Sequence, residues 1–149
     1  LNTVVRQISF FDFERKIHNL RINGEISVKE IGKIWIKSQR ESLGNHVILD
    51  NDYEYFWSYI PHFIHSPFYV YAYAFGDCLV NALWQNYQEK SATDKLVFSE
   101  QYIQLLKAGG TTRYNAALAP FGLNPADASF WNMGLDMIAG MIDELESLS

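Results

Sequence analysis

The 149-residue sequence contains a single cysteine, Cys78. One thiol excludes a disulfide framework and any metal site built from several cysteines, and it fits a reducing, cytoplasmic setting. Basic charge is also scarce: twelve Lys and Arg stand against seventeen Asp and Glu, a net charge of -5. The twelve are scattered rather than striped, so nucleic acid is not expected as a partner. No apolar run is long enough for a bilayer. The longest begins at Phe68 and is interrupted by Asp77 and Asn81, short of the roughly 20 residues that a span needs. The start, LNTVVRQISFFDFERK, lacks a basic region followed by an apolar stretch and a small-residue cleavage site, so it does not read as a secretory signal. Internal repeats and alternating strand patterns are missing as well, which leaves an all-α fold class.

What is present is apolar and aromatic. Hydrophobic residues make up 48% and aromatic residues 15% of the chain, enough for a real core and too much for disorder. We expect a single helical domain over residues 1–149, with six to seven helices arranged around a buried central helix at residues 68–90. The chain begins with Leu1 and runs in helical periodicity by about residue 4, as if entered in the middle of something larger. A processed or truncated product and simple trimming of the chain both account for that start.

The periodicity divides the chain as follows. Asn2 and Thr3 can cap a helix whose apolar residues Val4, Ile8, Phe11, Ile17 and Leu20 recur at three- and four-residue steps, up to Asn23-Gly24. Ser27 with Glu30 reads as a capping box opening a second helix to Leu43-Gly44. A loop over residues 45–51 follows, then a short aromatic helix capped by Asp52 and stopped by Pro61. The central helix comes next. Residues 91–97 read as a polar connector, Ser99 as the cap of a helix to Lys107, and Gly109-Gly110 as its stop. A short helix ends at Pro120, and Asp127 caps the last helix, with Phe130, Trp131, Leu135, Ile138, Met141, Ile142 and Leu145 on its apolar side.

The chemistry-bearing residues concentrate in Pro61–Trp84, PHFIHSPFYVYAYAFGDCLVNALW. His62 and His65 form an H-x-x-H pair, but helical zinc sites use i and i+4, and Pro61 and Pro67 bracket this pair in what reads as loop. His18 and His46 have no carboxylate or cysteine at ligand spacing and read as surface or cap residues. At about 100° per residue, Tyr69 and Tyr73 share a helix face and Tyr71 points almost opposite. A neutral phenol can donate to an oxyanion, yet a tyrosine in an apolar helix is more commonly a core residue. Gly109-Gly110 with Thr111 and Thr112 lacks the preceding strand and the Lys of a phosphate-binding loop.

The central run, together with the start TVVRQISFFDFERKIH and the end GLNPADASFWNMGLDMIAGMIDELESL, resembles the C-terminal part of the oligoendopeptidase F family of thimet-oligopeptidase-like zinc metallopeptidases. The resemblance implies an all-α bowl with a channel for short peptides, in which zinc-bound water attacks the peptide carbonyl. In that family HExxH and a downstream Glu hold the zinc, and the motif's own Glu is the general base. Neither the motif nor the third ligand occurs here, so they are expected before Leu1. Zinc is therefore expected in the complete enzyme, and none bound by this chain alone. Carried over by position, the resemblance implies that Tyr71 and His62 bind the scissile carbonyl and stabilise its oxyanion, with His65 and Tyr69 as nearby substrate-binding residues. Gly109-Gly110-Thr111 resembles the family's Gly-Gly-Ser turn.

The expected function is thus the C-terminal part of a zinc metalloendopeptidase acting on short peptides, inactive alone. The alternative is a stand-alone helical module that binds peptides or a protein without catalysis. Expected partners are short peptides and the missing N-terminal part of the same protein, with self-association of the isolated chain and no membrane.

Overall fold

The computed structural model describes residues 2–148. Every regular element among them is helical. The α-helices are α1 (Gln7–Arg21), α2 (Val28–Leu43), α3 (His62–His65), α4 (Tyr71–Gln88), α5 (Ala92–Ala108), α6 (Tyr114–Leu118) and α7 (Ala128–Ser147). A π turn at Asn2–Arg6 leads into α1, and 3-10 turns occupy Gly44–His46, Asp52–Tyr59 and Ala119–Phe121. The all-α expectation holds. Contacts divide the chain into two compact units, residues 1–75 and 76–149, and α4 runs from the first into the second.

In the first unit α1 packs on α2 around an aromatic core. Trp35, 1% exposed, meets Phe13 at 5.1 Å, Phe10 at 5.3 Å and Tyr53 at 5.9 Å between ring centroids. Ile60, Val70 and Phe63 complete the cluster. Polar side chains are buried beside it. Gln39 Nε2 donates to Ser9 Oγ at 2.9 Å, and Ser9 Oγ donates to the Ser38 carbonyl at 3.2 Å, so a chain of hydrogen bonds ties α1 to α2. Gly32 lets the 3-10 segment lie against α2: a Cβ there would sit 3.0 Å from the Glu54 carbonyl oxygen.

The second unit is built from α4–α7 over Ala82, Leu83, Phe98, Leu118, Phe121, Leu123 and Phe130. Gly134 of α7 lies against the α4 backbone, where a Cβ would be 2.9 Å from the Cys78 carbonyl oxygen and 3.1 Å from its Cα. Polar ties are few. Asn86 Nδ2 donates to the Phe121 carbonyl at 3.2 Å, and Trp131 Nε1 to the Pro125 carbonyl at 2.9 Å. Burial, and secondarily the Asp77 charge, pushes the Cys78 thiol up, which disfavours the reactive thiolate.

Several expected boundaries move, each for a local reason. The Ser27–Glu30 capping box is present in full. The first helical winding already includes Asn2 and Thr3, so neither sits outside it as a cap. Asp52 lies inside the aromatic 3-10 turn rather than capping it; the N-cap is Asn51, and Asp50 just before it accepts from Tyr53 N through Oδ1 at 3.0 Å. Residues 92–97 are helix rather than connector, because Ser91 Oγ accepts from Asp94 N and starts α5 two turns earlier than Ser99; Ser99 Oγ instead donates to the Lys95 carbonyl within the helix. Asp127 does occupy the N-cap of α7, but its carboxylate takes the Asn124 amide rather than a helix N–H.

The central helix starts at Tyr71, not 68, and ends at Gln88. Phe68 blocks an earlier start: its φ of 62° lies in the left-handed region, incompatible with a right-handed turn. Nor is α4 buried all round. Ala74, Cys78, Ala82 and Leu83 form a buried stripe, while Tyr71, Tyr73, Val80 and Trp84 are exposed.

Candidate functional site

The Pro61–Phe75 segment is where histidines and phenols converge. The aromatic 3-10 turn stops at Tyr59, ahead of Pro61 as expected, but the φ of -66° at Pro61 also suits a first turn, and His62–His65 winds as the single turn α3. The pair expected in loop is therefore helical. At spacing i and i+3 the two rings part: His62 is half-buried and His65 is exposed. After α3 the chain passes through Ser66, Pro67 and the left-handed Phe68. It then re-enters a helical path, with Tyr69 N donating to the Ser66 carbonyl at 3.1 Å and Ala72 N to the Tyr69 carbonyl at 2.9 Å.

This bend brings Tyr69 and Tyr73 over His62. His62 Nε2 lies 3.1 Å from Tyr73 Oη in hydrogen-bond contact, with the donor set by the imidazole tautomer. The His62 ring stacks on Tyr69 at 5.9 Å with an interplanar angle of 7°, and Tyr69 meets Tyr73 edge to face at 5.6 Å. Both phenols remain open to solvent, Tyr69 51% and Tyr73 40% exposed, so the cluster can be reached by a ligand. An exposed phenol paired with an imidazole can donate to, or accept from, a polar group placed between them.

Tyr71 projects elsewhere. Its ring packs edge to face on Phe11 of α1 at 5.7 Å, and it is 48% exposed. His65 joins neither the hydrogen bond nor the ring contacts of the cluster. Of the four residues singled out in the sequence, the structure therefore brings His62 and Tyr69 together and leaves Tyr71 and His65 apart from them. Tyr73 takes the fourth-residue position that its i, i+4 spacing from Tyr69 allows. That spacing was the one signal for it in the sequence.

Below the cluster lies a residue that nothing in the sequence marked. Glu14 of α1 is 2% exposed, and its Oε1 accepts from Phe68 N at 2.7 Å. Phe68 is, among the described residues, the one non-glycine residue with a left-handed φ. For a bulky residue that conformation costs about 1–2 kcal/mol. The Phe68 ring lies against His18 at 4.6 Å and Phe11 at 6.3 Å.

Among the described residues no three His, Cys, Asp or Glu side chains gather to hold a metal. The donor set at His62 is one imidazole and two phenols, which does not fit a zinc centre. A concavity in the 76–149 unit is lined by residues including Val80, Trp84, Tyr87, Phe98, Tyr102 and Ile103, which offer mainly apolar contact. No helix among the described residues is long and apolar enough to cross a membrane.

The sequence match completes the picture. A model of peptidase family M3 matches residues 2–137, nearly the whole chain. The chain belongs to peptidase family M3. It is 29% identical over 147 residues to oligoendopeptidase F (plasmid) of Lactococcus lactis subsp. cremoris, an alignment covering 98% of this chain and 24% of that protein. It is 30% identical over 149 residues to oligopeptidase PepF of Bacillus subtilis, covering 98% and 21%. Group B oligopeptidase PepB of Streptococcus agalactiae is 28% identical over 152 residues, covering 98% and 24%. The M3 chain thus spans about a quarter of the length of these curated relatives. No solved structure matches it.

Proposed function

We propose that this M3 chain supplies the substrate-contacting, oxyanion-stabilising part of an oligopeptidase that hydrolyses short peptides. The observation that carries the reading is the solvent-reachable pair His62 Nε2 and Tyr73 Oη at 3.1 Å, on a family M3 chain. A carbonyl oxygen entering between them would take a donor from each, and the bond would strengthen as negative charge develops on that oxygen. Tyr69, stacked on His62, fixes the imidazole plane and offers a face to the peptide. Tyr71 is the second phenol of this proposal, since the resemblance assigns it the oxyanion role, and His65 a second substrate contact.

The zinc that such a peptidase uses would supply a polarised water and a Lewis acid for the same carbonyl. This chain's residues do not fit it, so the ligands belong to another part of the longer polypeptide in this reading. Both compact units then form part of one cytoplasmic catalytic domain. The isolated chain is inactive and self-associates through uncovered apolar residues such as Val80 and Trp84.

The test is peptide hydrolysis by the complete protein. Tyr73→Phe is expected to lower kcat roughly a hundredfold with little change in KM, and Tyr71→Phe less. Unchanged kcat in Tyr73→Phe removes the His62–Tyr73 pair from the mechanism, and a large loss in Tyr71→Phe alone returns the role to Tyr71. Stoichiometric zinc and peptide cleavage by the 149-residue chain alone would defeat the idea that it is one part of the catalyst. A second reading is a helical module that binds peptides without catalysis. Peptide binding with no metal-dependent hydrolysis by the complete protein would establish it.

A further inference from the structure

We infer that Glu14 is a positioning residue for the His62–Tyr69–Tyr73 cluster, acting through the backbone of Phe68. The inference rests on the oligopeptidase reading for its kinetic consequence and on geometry alone for its structural one.

Glu14 is a carboxylate in an aromatic core, 2% exposed, where an apolar side chain of similar size would suit the packing better. Its Oε1 accepts from Phe68 N at 2.7 Å, at the short end of the range for an N–H donor. Its Oε2 is buried with no hydrogen-bond partner among the described residues. A buried carboxylate with one oxygen unused is poorly explained by stability. It is well explained by what the other oxygen holds.

That oxygen holds the one bulky residue, among those described, whose backbone is left-handed. Phe68 stands between α3, which carries His62, and α4, which carries Tyr73, and Tyr69 follows it directly. If Phe68 relaxed to the extended or right-handed region, the chain after it would swing and Tyr69 and Tyr73 would leave the imidazole. The clamp has three points on one face of α1. Phe11, Glu14 and His18 lie at i, i+3 and i+7, with Phe11 and His18 against the Phe68 ring and Glu14 on its amide. Phe11 also carries the Tyr71 ring, so the same face of α1 sets the first turn of α4. Glu14 touches no reacting group itself; it fixes the bend on which those groups are mounted.

Three substitutions separate this role from a structural one. Glu14→Leu removes the acceptor, Glu14→Gln keeps a carbonyl oxygen in its place, and Phe68→Gly makes a left-handed bend free of strain. In the 149-residue chain the readout is the set of NMR cross-peaks between the His62 ring and the Tyr69 and Tyr73 rings, with helix content followed by circular dichroism. In the complete protein it is kcat and KM on a quenched fluorescent peptide. Glu14→Leu should lose the ring cross-peaks and lower kcat roughly tenfold or more while KM moves less than about threefold. Glu14→Gln should keep the cross-peaks and most of kcat, and Phe68→Gly added to Glu14→Leu should restore them. Cross-peaks and kcat unchanged in Glu14→Leu, with only the melting temperature lowered, overturn the inference. So does a Glu14→Leu/Phe68→Gly chain that is helical yet lacks the cross-peaks, or that fails to fold. Where the unaltered complete protein cleaves no peptide, the oligopeptidase reading falls by itself, and the ring cross-peaks still decide the role of Glu14.

Discussion

The two compact units solve the same problem, joining helices, with different materials. Residues 1–75 bury polar groups among aromatic rings: Ser9, Ser38, Gln39 and Glu14 all lie inside, and Ser9, Gln39 and Glu14 reach across to another segment with a side-chain hydrogen bond. Residues 76–149 rely on an apolar core and on close backbone contact at Gly134. Apolar packing tolerates small slippage, whereas a buried hydrogen bond fails if its partner moves by an ångström. The histidine–tyrosine cluster sits on the unit whose core holds the buried polar side chains.

The contrast can be broken at several levels. The largest losses are expected from emptying either core: Trp35→Ala and Phe130→Ala, each 1% exposed in the native chain, should each cost about 3–5 kcal/mol in urea denaturation. Amide hydrogen exchange should show each loss first in the unit that carries the substitution. Next come changes aimed at the device specific to each unit. Gly134→Ala forces a Cβ to 2.9 Å from the Cys78 carbonyl and should cost about 1–3 kcal/mol through overpacking. Ser9→Ala should cost a similar 1–3 kcal/mol by leaving the Gln39 amide without its acceptor. A Ser9→Ala chain as stable as the native one would mean that the buried polar chain contributes little, and the contrast between the units would collapse.

Smaller effects sharpen the comparison. Ser27→Ala breaks the capping box of α2 and should cost about 1 kcal/mol in thermal or urea unfolding. The smallest is a pH effect in the first unit. The Ser27 hydroxyl and amide hold the Glu30 carboxyl below its ordinary range. For Asp12, burial pushes upward but is outweighed by hydrogen bonds and charge from Lys16 and Arg15, so its carboxyl is lowered too. A depressed carboxyl stabilises the fold above its unfolded value and stops doing so as pH falls through the folded one. Stability should therefore drop below about pH 4, and Asp12→Asn with Glu30→Gln should flatten that part of the profile. Lys16 is raised, first by its Asp12 hydrogen bond, so its contribution is present below the ordinary lysine range and fades as pH climbs through the raised value.

Much of the helical frame was legible because it rests on short-range signals. Ser27 and Glu30 are three residues apart, and both halves of their capping box formed as read. Gly109 ends α5 as expected, since its φ of 53° suits glycine. The misreadings were also local, where two short-range signals competed. The aromatic turn does stop before Pro61, but proline equally opens a first turn, and that second role makes His62–His65 helix rather than loop. Ser91-Ala-Thr-Asp94 reads as connector because it is polar, although Ser91 with Asp94 three residues on is itself a cap.

The site was less legible than the frame. The i, i+4 pairing of Tyr69 with Tyr73 could be read from helical geometry, and His62 stood out by composition. That Tyr73 rather than Tyr71 meets His62 depends on a bend at Phe68 that no residue type announces, because a left-handed phenylalanine is rare.

The sequence alone determined the all-α class, the cap of α2 and the family, since these follow from neighbours along the chain or from matching strings of residues; the one-sided burial of α4 came with the tertiary structure. Only the tertiary structure decided which phenol faces His62 and what fixes it there. The reason is distance in sequence: Phe68 is strained by itself and is held by Glu14, 54 residues earlier, so neither residue carries in its own surroundings the cause of the other's conformation.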